Sequence, residues 1–514
     1  MRPLSPPSTL FQRRRFPLRT TIWLLAAVTM ASAGRSQDTD SLTAAHALET
    51  ALVDVIAGAE GAVVAVTRDE PPTAPATDPF APFAPLGPIE AIETDGGDYI
   101  PLQFGSGVIV EHPQQPQERF VLTTCHVVFG EEPLAARRPV RVVFRLPDLG
   151  AVSVTGTPYA ADRRIDLAVC RLHLQEAGIL PEQVPALPLG DADSVRKGRL
   201  VIALGNPYAM ARDGSNSASI GIVSNLARRP QRPPSDGVPR DSRSIHEYGT
   251  LLTVDTRLQL GASGGALLDL NGRLIGITTS LAALQGYEKS AGYAIPLDGG
   301  TRRIVGDLLN GFEADYGFLG ISPETFRTTD ADGRAIATVR VVHVAIDSPA
   351  ADAGLHSSDL IRQINGQPVH DVADLMRLIG LLGPSAEAEL LVQRGGDAQT
   401  LVARLGKWPV YDDQDILSSA SRYPAWRGLS VDYSTARQRF LSSDRLEEYR
   451  RAVVVTQVED GSSAAAAGLK TGDFITHVGS TAVQTPAEFA AAVADLPGPA
   501  ELKLWSGANV RVVP

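Results

Sequence analysis

Three short segments carry residue types that together could cleave an amide bond. The run 121–128 (VLTTCHVV) ends a predicted strand on His126, 166–169 (DLAV) opens another with Asp166, and 261–267 (GASGGAL) sets Ser263 in a turn. A serine hydroxyl becomes a useful nucleophile when an imidazole removes its proton, and a buried carboxylate holds that imidazole in the correct tautomer. The segments therefore predict His126 as general base, Asp166 as its orienting acid and Ser263 as nucleophile.

The glycines around Ser263 predict how the reaction's negative charge is stabilised. The oxyanion of a tetrahedral intermediate needs two converging backbone N–H groups. A tight turn through 261–263 aims the amides of Gly261 and Ser263 inward, so these two are the predicted oxyanion donors. Gly264 and Gly265 allow a close backbone approach that a larger residue would block.

Each of these residues also has a purely structural interpretation. His126 beside two valines could be a half-buried side chain, Asp166 a turn residue and the serine turn an ordinary hairpin. What favours chemistry is the combination, because His, then Asp, then Ser is the chain order of trypsin-like double barrels. Subtilisins and α/β-hydrolases use other orders.

The two cysteines, Cys125 and Cys170, flank the candidate site. They could form one disulfide, although two buried thiols are the favoured interpretation. A zinc site is disfavoured because His126 is assigned to the triad and no second histidine lies at ligand spacing. We predict no metal and no cofactor.

Composition limits the class of protein. The 514 residues suggest about three domains, and 44% hydrophobic with 20% charged residues is an ordinary globular balance. Lys and Arg number 47 against 58 Asp and Glu, for a net charge of −11. Such an acidic chain lacks the positive electrostatic field that attracts nucleic acid or anionic lipid, so nucleic acid is excluded as a main partner.

The N-terminus carries an export pattern. A basic stretch (13–19) precedes an apolar run (22–30) and an A-x-A cleavage pattern at 31–33. Nine apolar residues are too few to span a bilayer, which favours a signal peptide over residues 1–33. Arg13-Arg14 leaves twin-arginine export open beside the general route. Either route predicts a periplasmic or otherwise exported protein, membrane-associated if the segment is not removed.

The elements that must position the triad are short strands. Helical spacing of apolar residues predicts a helix over 40–57, and the Pro-broken stretches 71–88 and 227–249 predict long loops. Between 104 and 297 the chain has short β-branched runs and little helical periodicity, which favours an antiparallel barrel or sandwich. These runs include 107–110, 120–124, 140–144, 167–170, 200–204, 251–254 and 274–278.

The C-terminal part contains a repeat. Ala353-Gly354-Leu355 recurs as Ala467-Gly468-Leu469, and the same offset relates Asp359 to Asp473 and Leu375 to Phe489. A single gap-free offset across this stretch predicts two copies of one small module of strands and two short helices.

Taken together, these motifs resemble the HtrA (Deg) family of periplasmic serine proteases. The family's motifs occur in order: T-x-x-H-V-V, D-L-A-V, L-G-N-P-Y (204–208), G-I-V-S (221–224), the serine turn, L-N-G-R-L-I-G-I (270–277) and Y-A-I-P (293–296). The sequence departs from the family at Ala262 and Ala266, where Asn and Pro are usual. Neither position transfers protons, so the predicted triad is retained.

The resemblance implies a mainly β chain, with a trypsin-like double β-barrel protease domain over 34–300 and two small PDZ (α+β) domains over 315–407 and 425–514. PDZ domains capture a C-terminal carboxylate and add the peptide as a strand. The two carboxylate-binding loops are expected at 316–320 (YGFLG) and 427–429 (RGL). The expected peptide contacts are Phe318, Leu319, Gly320, Gly428 and Leu429. The implied assembly is a homo-oligomer, a trimer or a multiple of one.

Three functions are considered for such a chain. The first is an exported serine endopeptidase of protein quality control, acting on unfolded polypeptides, with PDZ domains that bind substrate or activating C-terminal peptides. The second is a non-catalytic or weakly catalytic peptide-binding chaperone on the same fold. The third, an esterase, is disfavoured by the His-Asp-Ser order. Because no triad member is missing, the sequence favours the endopeptidase.

Overall fold

The computed structural model describes residues 41–68, 103–206, 215–229, 244–258, 261–279, 292–329, 333–411, 413–439 and 449–514. The chain divides into two units, Met1–Val55 and Ile56–Pro514. In the first unit the described residues form the start of helix α1 (Ser41–Glu60), close to the helix predicted over 40–57. By length and composition alone α1 could cross a membrane, a test that signal sequences near an N-terminus also pass. The predicted signal peptide and the 71–88 loop lie outside the described residues.

The first barrel is a sheet of six strands that closes on itself. Its order is β5-β4-β1-β2-β3-β6, and β5 pairs with β6 to complete the circle. Residues of β4 alternate strictly, so that Val140, Val142, Phe144 and Leu146 face the core while the arginines between them face out. The strands are β1 (Val63–Arg68), β2 (Gln103–His112), β3 (Gln115–Thr124), β4 (Val140–Leu146), β5 (Gly150–Asp162) and β6 (Leu167–Leu172).

The second barrel is closed in the order β10-β11-β12-β9-β8-β7. Small and β-branched residues such as Val201, Val254 and Ile275 fill its interior, as expected where six short strands surround one narrow core. Its strands are β7 (Leu200–Gly205), β8 (Ser217–Arg228), β9 (Leu251–Val254), β10 (Ala266–Leu268), β11 (Leu274–Thr279) and β12 (Gly292–Pro296). Helix α3 (Gly299–Leu309) follows, capped by Asp298, which accepts from the Thr301 N–H at 2.8 Å.

The predicted repeat is present as two similar modules, each with a five-stranded path and two helices. The first has β13 (Gly317–Phe318), β14 (Ile321–Thr329), β15 (Ala335–Val344), α4 (Pro349–Asp352), β16 (Leu360–Ile364), β17 (Gln367–Pro368), α5 (Val372–Leu382), β18 (Glu387–Arg394), β19 (Asp397–Arg404) and β20 (Gly406–Lys407). The order of its main sheet is β14-β15-β16-β18-β19.

The second module repeats this order as β22-β23-β24-β26-β27. Its elements are β22 (Leu429–Tyr433), β23 (Val453–Val458), α6 (Ser463–Ala466), β24 (Phe474–Val478), β25 (Thr481–Ala482), α7 (Pro486–Val493), β26 (Ala500–Leu504) and β27 (Asn509–Val512). The same close packing recurs in both copies. A Cβ at Gly320 would lie 2.4 Å from the Ser348 Cβ, and one at Gly428 would lie 2.3 Å from the Ser462 Cβ.

Between the two modules runs a segment of residues 408–424, which we call the inter-PDZ linker. It contains a 3₁₀ turn (Asp413–Asp415) and a two-residue strand, β21 (Ile416–Leu417). This strand does not pair with either module. It pairs antiparallel with β5 of the first barrel, Ile416 opposite Asp162 and Leu417 opposite Ala161.

Candidate active site

His126 and Asp166 are brought together by strand register. Strands β3 and β6 pair with Thr124 opposite Leu167, so the residues just beyond that pair are neighbours although 40 positions apart. His126 lies on α2 (Cys125–Phe129), a single helical turn that begins where β3 ends. The Cys125 N–H donates to the Asp166 carbonyl at 3.0 Å, which fixes the two chain segments to each other at the site.

The carboxylate of Asp166 contacts His126 twice. Its Oδ2 lies 2.8 Å from the imidazole Nδ1, and its Oδ1 accepts the His126 backbone N–H at 3.0 Å. An ionised carboxylate is only an acceptor, so Nδ1 carries the hydrogen and Nε2 of the neutral ring is left as the base. Asp166 itself has a φ of 54°, in the left-handed region that few residues other than glycine adopt. This backbone conformation of Asp166 is locally unfavourable, and the two contacts to His126 help to stabilise it.

Two opposing effects set the proton affinity of His126. Burial by itself lowers the pKa of the imidazole, while the charge of Asp166 and its hydrogen bond raise it. The acid outweighs burial, and the pKa of His126 is raised above its ordinary value. The site therefore stabilises the imidazolium that forms when a nucleophile gives up its proton.

The Ser263 turn is fastened to both barrels. The Ser106 N–H on β2 donates to the Ser263 carbonyl at 2.7 Å, and the Ser106 Oγ donates to the Gly261 carbonyl at 2.8 Å. On β11 of the second barrel, Thr278 Oγ1 donates to the Ala262 carbonyl at 2.6 Å. The backbone carbonyls of this turn therefore have their polar partners on Ser106 and Thr278, and the Ala262 side chain supplies none of them.

Glycine at 264 is required by space as well as by conformation. Gly261 and Gly264 have φ values of 91° and 86°, and a Cβ at Gly264 would lie 2.0 Å from the Ser106 carbonyl oxygen. The Gly264 and Gly265 amides donate to Thr278 O and Ala262 O at 2.7 and 3.1 Å. The first of these bonds joins the turn to β11 and the second lies within the turn, so both amides are engaged. The predicted oxyanion donors, Gly261 and Ser263, stay a prediction.

Neighbouring residues on one strand connect the serine turn to the acid. Thr278 bonds the turn, and the next residue, Thr279, donates its hydroxyl to Asp166 Oδ2 at 3.5 Å. Ser263 is 4% exposed, at the junction of the barrels. The structure thus gathers the three predicted segments at one place, with the acid between the base and strand β11.

Three residues at this site were not predicted from the sequence. Ser106 lies in the run F-G-S-G (104–107), and a serine between glycines at a strand start is a weak signal for a turn partner. His246 is fully buried, with Nε2 3.0 Å from the Ile165 carbonyl, and burial lowers its pKa despite nearby Asp166. Arg163 precedes the acid and is described below.

The cysteines are both free and buried. Burial raises the pKa of the Cys125 thiol, with Asp166 adding to the effect, and burial raises the pKa of Cys170 to about 12. Both side chains are therefore protonated thiols that act as small apolar groups in the barrel core.

In the first module the expected peptide-binding loop is tied to its surroundings. The Phe318 ring packs edge-on against Trp408 and stacks on Tyr449, with centroids 6.1 and 6.2 Å apart. Leu319 is in the module core, and its carbonyl accepts the Ala350 N–H at 2.9 Å. The Gly320 carbonyl accepts the Ala345 N–H at 2.9 Å.

The second loop keeps the equivalent of the Gly320 hydrogen bond and adds a hairpin of its own. The Leu429 and Trp426 N–H groups each donate to the other's carbonyl at 2.9 Å, and the Gly428 carbonyl accepts the Glu459 N–H at 2.8 Å. In this loop the Leu429 amide is therefore engaged in a tight hairpin. The peptide contacts named for both loops stay predictions.

Comparison of the sequence with models of protein families agrees with this architecture. A model described as a trypsin-like peptidase domain matches residues 105–277, and two PDZ-domain models match 317–405 and 454–506. A solved structure entitled "HtrA-type protease AlgW with decapeptide" matches with a TM-score of 0.43 and 25% identity, over 70% of this chain and 98% of that one.

Two similar curated proteins carry the same name. The "Probable periplasmic serine endoprotease DegP-like" of Pseudomonas putida (strain W619) is 30% identical over 408 residues, which cover 76% of this chain and 74% of that protein. The protein of the same name from Halomonas elongata is 28% identical over 396 residues, with the same two coverages. This similarity extends over most of both chains, and it accompanies a trypsin-like double barrel and two PDZ modules. The chain therefore belongs to the HtrA (Deg) family of PDZ-containing serine endoproteases.

Proposed function

We propose that this serine endopeptidase cleaves unfolded or misfolded polypeptides outside the cytoplasm through a Ser263–His126–Asp166 triad. The observation that carries the triad is the double contact of Asp166 with His126, beside a serine turn pinned to both barrels. The names of the curated relatives support a periplasmic location. We further propose that residues 1–33 direct export, or anchor the chain at the membrane if they are retained.

The proposed steps of the reaction are those of a Ser-His-Asp triad. Nε2 of His126 takes the Ser263 hydroxyl proton as Oγ attacks the substrate carbonyl, and Asp166 stabilises the resulting imidazolium through Nδ1. The same imidazolium then gives its proton to the leaving amine, and an acyl-enzyme forms. Water repeats the sequence to release the acid. The amides of Gly261 and Ser263 would bind the oxyanion in both halves.

The test of the triad is Ser263→Ala. Loss of the nucleophile removes several kcal/mol of transition-state stabilisation, so casein degradation should fall to a trace level set by the remaining site. Circular dichroism and thermal melting should match the wild type, because the change removes one oxygen. Cleavage well above that trace by pure Ser263→Ala protein would contradict the assignment. Wild-type protein that degrades casein no faster than Ser263→Ala would instead support the non-catalytic or weakly catalytic chaperone hypothesis.

For the PDZ modules we propose binding of exposed C-terminal peptides, which either tethers substrate or activates the protease. A peptide strand added beside β14 gains main-chain hydrogen bonds. Activation requires that the peptide bind the active arrangement better than the resting one. The measurement is kcat/KM for a short chromogenic substrate with and without a separate apolar C-terminal peptide. A bound peptide that leaves kcat/KM unchanged would reduce the role to tethering.

By analogy with the family, we propose that Thr278 and Thr279 line the pocket for the side chain before the cleaved bond, and that the protein forms oligomers. Thr278 and Thr279 are buried and uncharged, which supports small or medium apolar side chains before the cleaved bond. Cleavage-site mapping by mass spectrometry of digested casein would show this preference. From the family we propose a trimer or a multiple of a trimer. Light scattering would measure the number of subunits.

A further inference from the structure

Within the part of the chain that the structure describes, the inter-PDZ linker fills an edge of the first barrel that the six barrel strands leave open. Strand β5 has 13 residues, and β4 pairs only with its first part, up to Gly156. On that side the end of β5 would present unpaired backbone groups, which proteins cover or block. Here β21 supplies the cover, with Leu417 opposite Ala161 and Ile416 opposite Asp162.

The contact extends beyond the two paired residues. The Arg163 N–H donates to the Asp415 carbonyl at 2.9 Å, which continues the ladder past Ile416. Ser419 Oγ donates to the Tyr159 carbonyl, and Arg137 donates to the Ser419 hydroxyl at 2.9 Å. Leu417 is buried. The linker is therefore attached to the barrel through backbone, side-chain and apolar contacts.

Arg163 connects this linker with both triad residues on the first barrel. Its carbonyl accepts the Asp166 N–H at 3.2 Å, which closes the turn that presents the acid. Its guanidinium lies beside the linker, with Nε 3.9 Å from Asp415 Oδ1, and donates to the Gly130 carbonyl at 3.0 Å and to the Glu132 carbonyl. Gly130 caps α2, the turn that carries His126, and its N–H donates to the His126 carbonyl at 3.0 Å.

The end of α2 needs such a partner. Five residues are too few for stable helix in isolation, and the last carbonyls of a helix have no partner within it. Arg68 from β1 donates to the Phe129 carbonyl at 3.0 Å, and Arg163 donates to the following carbonyl, that of Gly130. Arg163 is thus the one of these two arginines that also belongs to the turn of Asp166.

We propose that Arg163 is a positioning residue for peptide-bond cleavage, held in place by the inter-PDZ linker as an added strand of the first barrel. It keeps the turn of Asp166 and the end of α2 at the separation that the His126–Asp166 contact requires. The proposal rests on the triad assigned above. It assigns the linker a part in catalysis that is separate from peptide capture by the PDZ modules.

The first test compares Arg163→Ala and Arg163→Lys with Arg273→Ala, which removes an exposed arginine from the second barrel. The readouts are kcat and KM for a short chromogenic peptide, with the acylation rate by a fluorophosphonate. Arg163→Ala should lower kcat and acylation on the order of tenfold at unchanged KM, because a small misplacement of the base affects the chemical step. Lysine keeps a hydrogen-bond donor at this position, so the kcat of Arg163→Lys should lie between those of the wild type and Arg163→Ala. Unchanged kcat in both Arg163 variants, or equal changes in Arg273→Ala, would overturn the proposal.

The second test acts on the linker. In an antiparallel ladder the bond from Arg163 to Asp415 places Leu417 in a hydrogen-bonded pair with Ala161, so Leu417→Pro removes a ladder donor. It should lower kcat about as much as Arg163→Ala, and the double variant should lose no more than the larger single loss, because both act on one connection. If the losses in kcat of the two single variants multiply in the double variant, the proposed part of the linker is overturned. If Arg163→Ala does not fold, the Lys variant and Leu417→Pro still decide.

Failure of this proposal differs from failure of the triad. Persistent cleavage by Ser263→Ala would remove the triad. Full activity of the Arg163 variants, with Ser263→Ala inactive, would leave the triad and remove only the positioning role.

Discussion

At the scale of single residues, the charge of Asp166 determines when His126 can act as a base. The raised pKa keeps the imidazole protonated to a higher pH than a free histidine, for which about 6.5 is usual. Only the neutral ring can accept the serine proton, so activity falls as pH drops through that raised pKa. The acid limb of kcat/KM against pH should have its midpoint above about 6.5. A midpoint below that value would contradict the balance of burial and charge described here.

The identity of the acid is tested by Asp166→Asn. An asparagine can donate to Nδ1 and hold the wrong tautomer, so kcat should fall on the order of 10⁴-fold while substrate binding changes little. A matched change is Asp162→Asn. Asp162 is also buried, but its carboxylate binds Arg164 and not the imidazole: Arg164 Nη2 lies 2.8 Å from Asp162 Oδ2. A loss of less than tenfold in Asp166→Asn would mean that another acid, such as Asp162, orients His126.

At the scale of elements, the serine turn depends on a glycine for two separate reasons. Gly264 and Gly354 have similar φ values, 86° and 80°, but only at Gly264 would a Cβ meet another atom. Gly354→Ala should lower the free energy of unfolding by about 1–2 kcal/mol from backbone conformation alone. Gly264→Ala should lower it by about 2–5 kcal/mol in total, because the clash with Ser106 adds an overpacking cost, and it should abolish cleavage.

Urea unfolding followed by fluorescence measures both variants, and the chromogenic peptide measures activity. The difference between them isolates the clash from the backbone cost. Equal losses of stability would show that the serine turn can move away from β2, which its hydrogen bonds to Ser106 argue against.

At the scale of the whole molecule, one buried lysine joins the two PDZ modules. Lys407 on β20 is 4% exposed, and its Nζ lies 3.1 Å from Glu313, 2.8 Å from Asp315 and 2.8 Å from Asp432 of the second module. Burial alone would raise the pKa of Glu313, but Lys407 and Arg439 hold it well below its usual range. Burial raises the pKa of Asp432 despite the lysine.

Removal of this lysine should therefore be costly. Lys407→Met leaves three carboxylates without their common partner, and loss of one member of a buried ion cluster costs about 3–5 kcal/mol. The expected result is earlier urea unfolding and faster proteolysis of the 408–424 linker. Lys197→Ala, an exposed lysine of the protease domain, is the control and should change neither. An unchanged linker cleavage rate in Lys407→Met would show that the cluster does not hold the modules.

Much of the site could be predicted from the sequence because its signals are local. A histidine at a strand end, an acid at a strand start and a serine among glycines each occupy a few adjacent residues, and their order distinguishes one fold from others. The repeat was visible for the same reason, since one offset of identical glycines and apolar positions needs no tertiary information. The mainly β architecture followed from short β-branched runs. These predictions are confirmed at the level of fold, family and serine endopeptidase activity.

Only the tertiary structure decided which distant residues meet. Ile416-Leu417 is too short a strand to produce any periodic signal, and its partner lies about 250 positions earlier on β5. Arg163 and Lys407 look like surface charges in the sequence, because nothing adjacent to them indicates Gly130 or Asp432 as partners. Such contacts depend on how barrels, linker and modules pack. Side-chain patterns along the chain report burial and local conformation, whereas long-range pairing is settled by the packed chain as a whole.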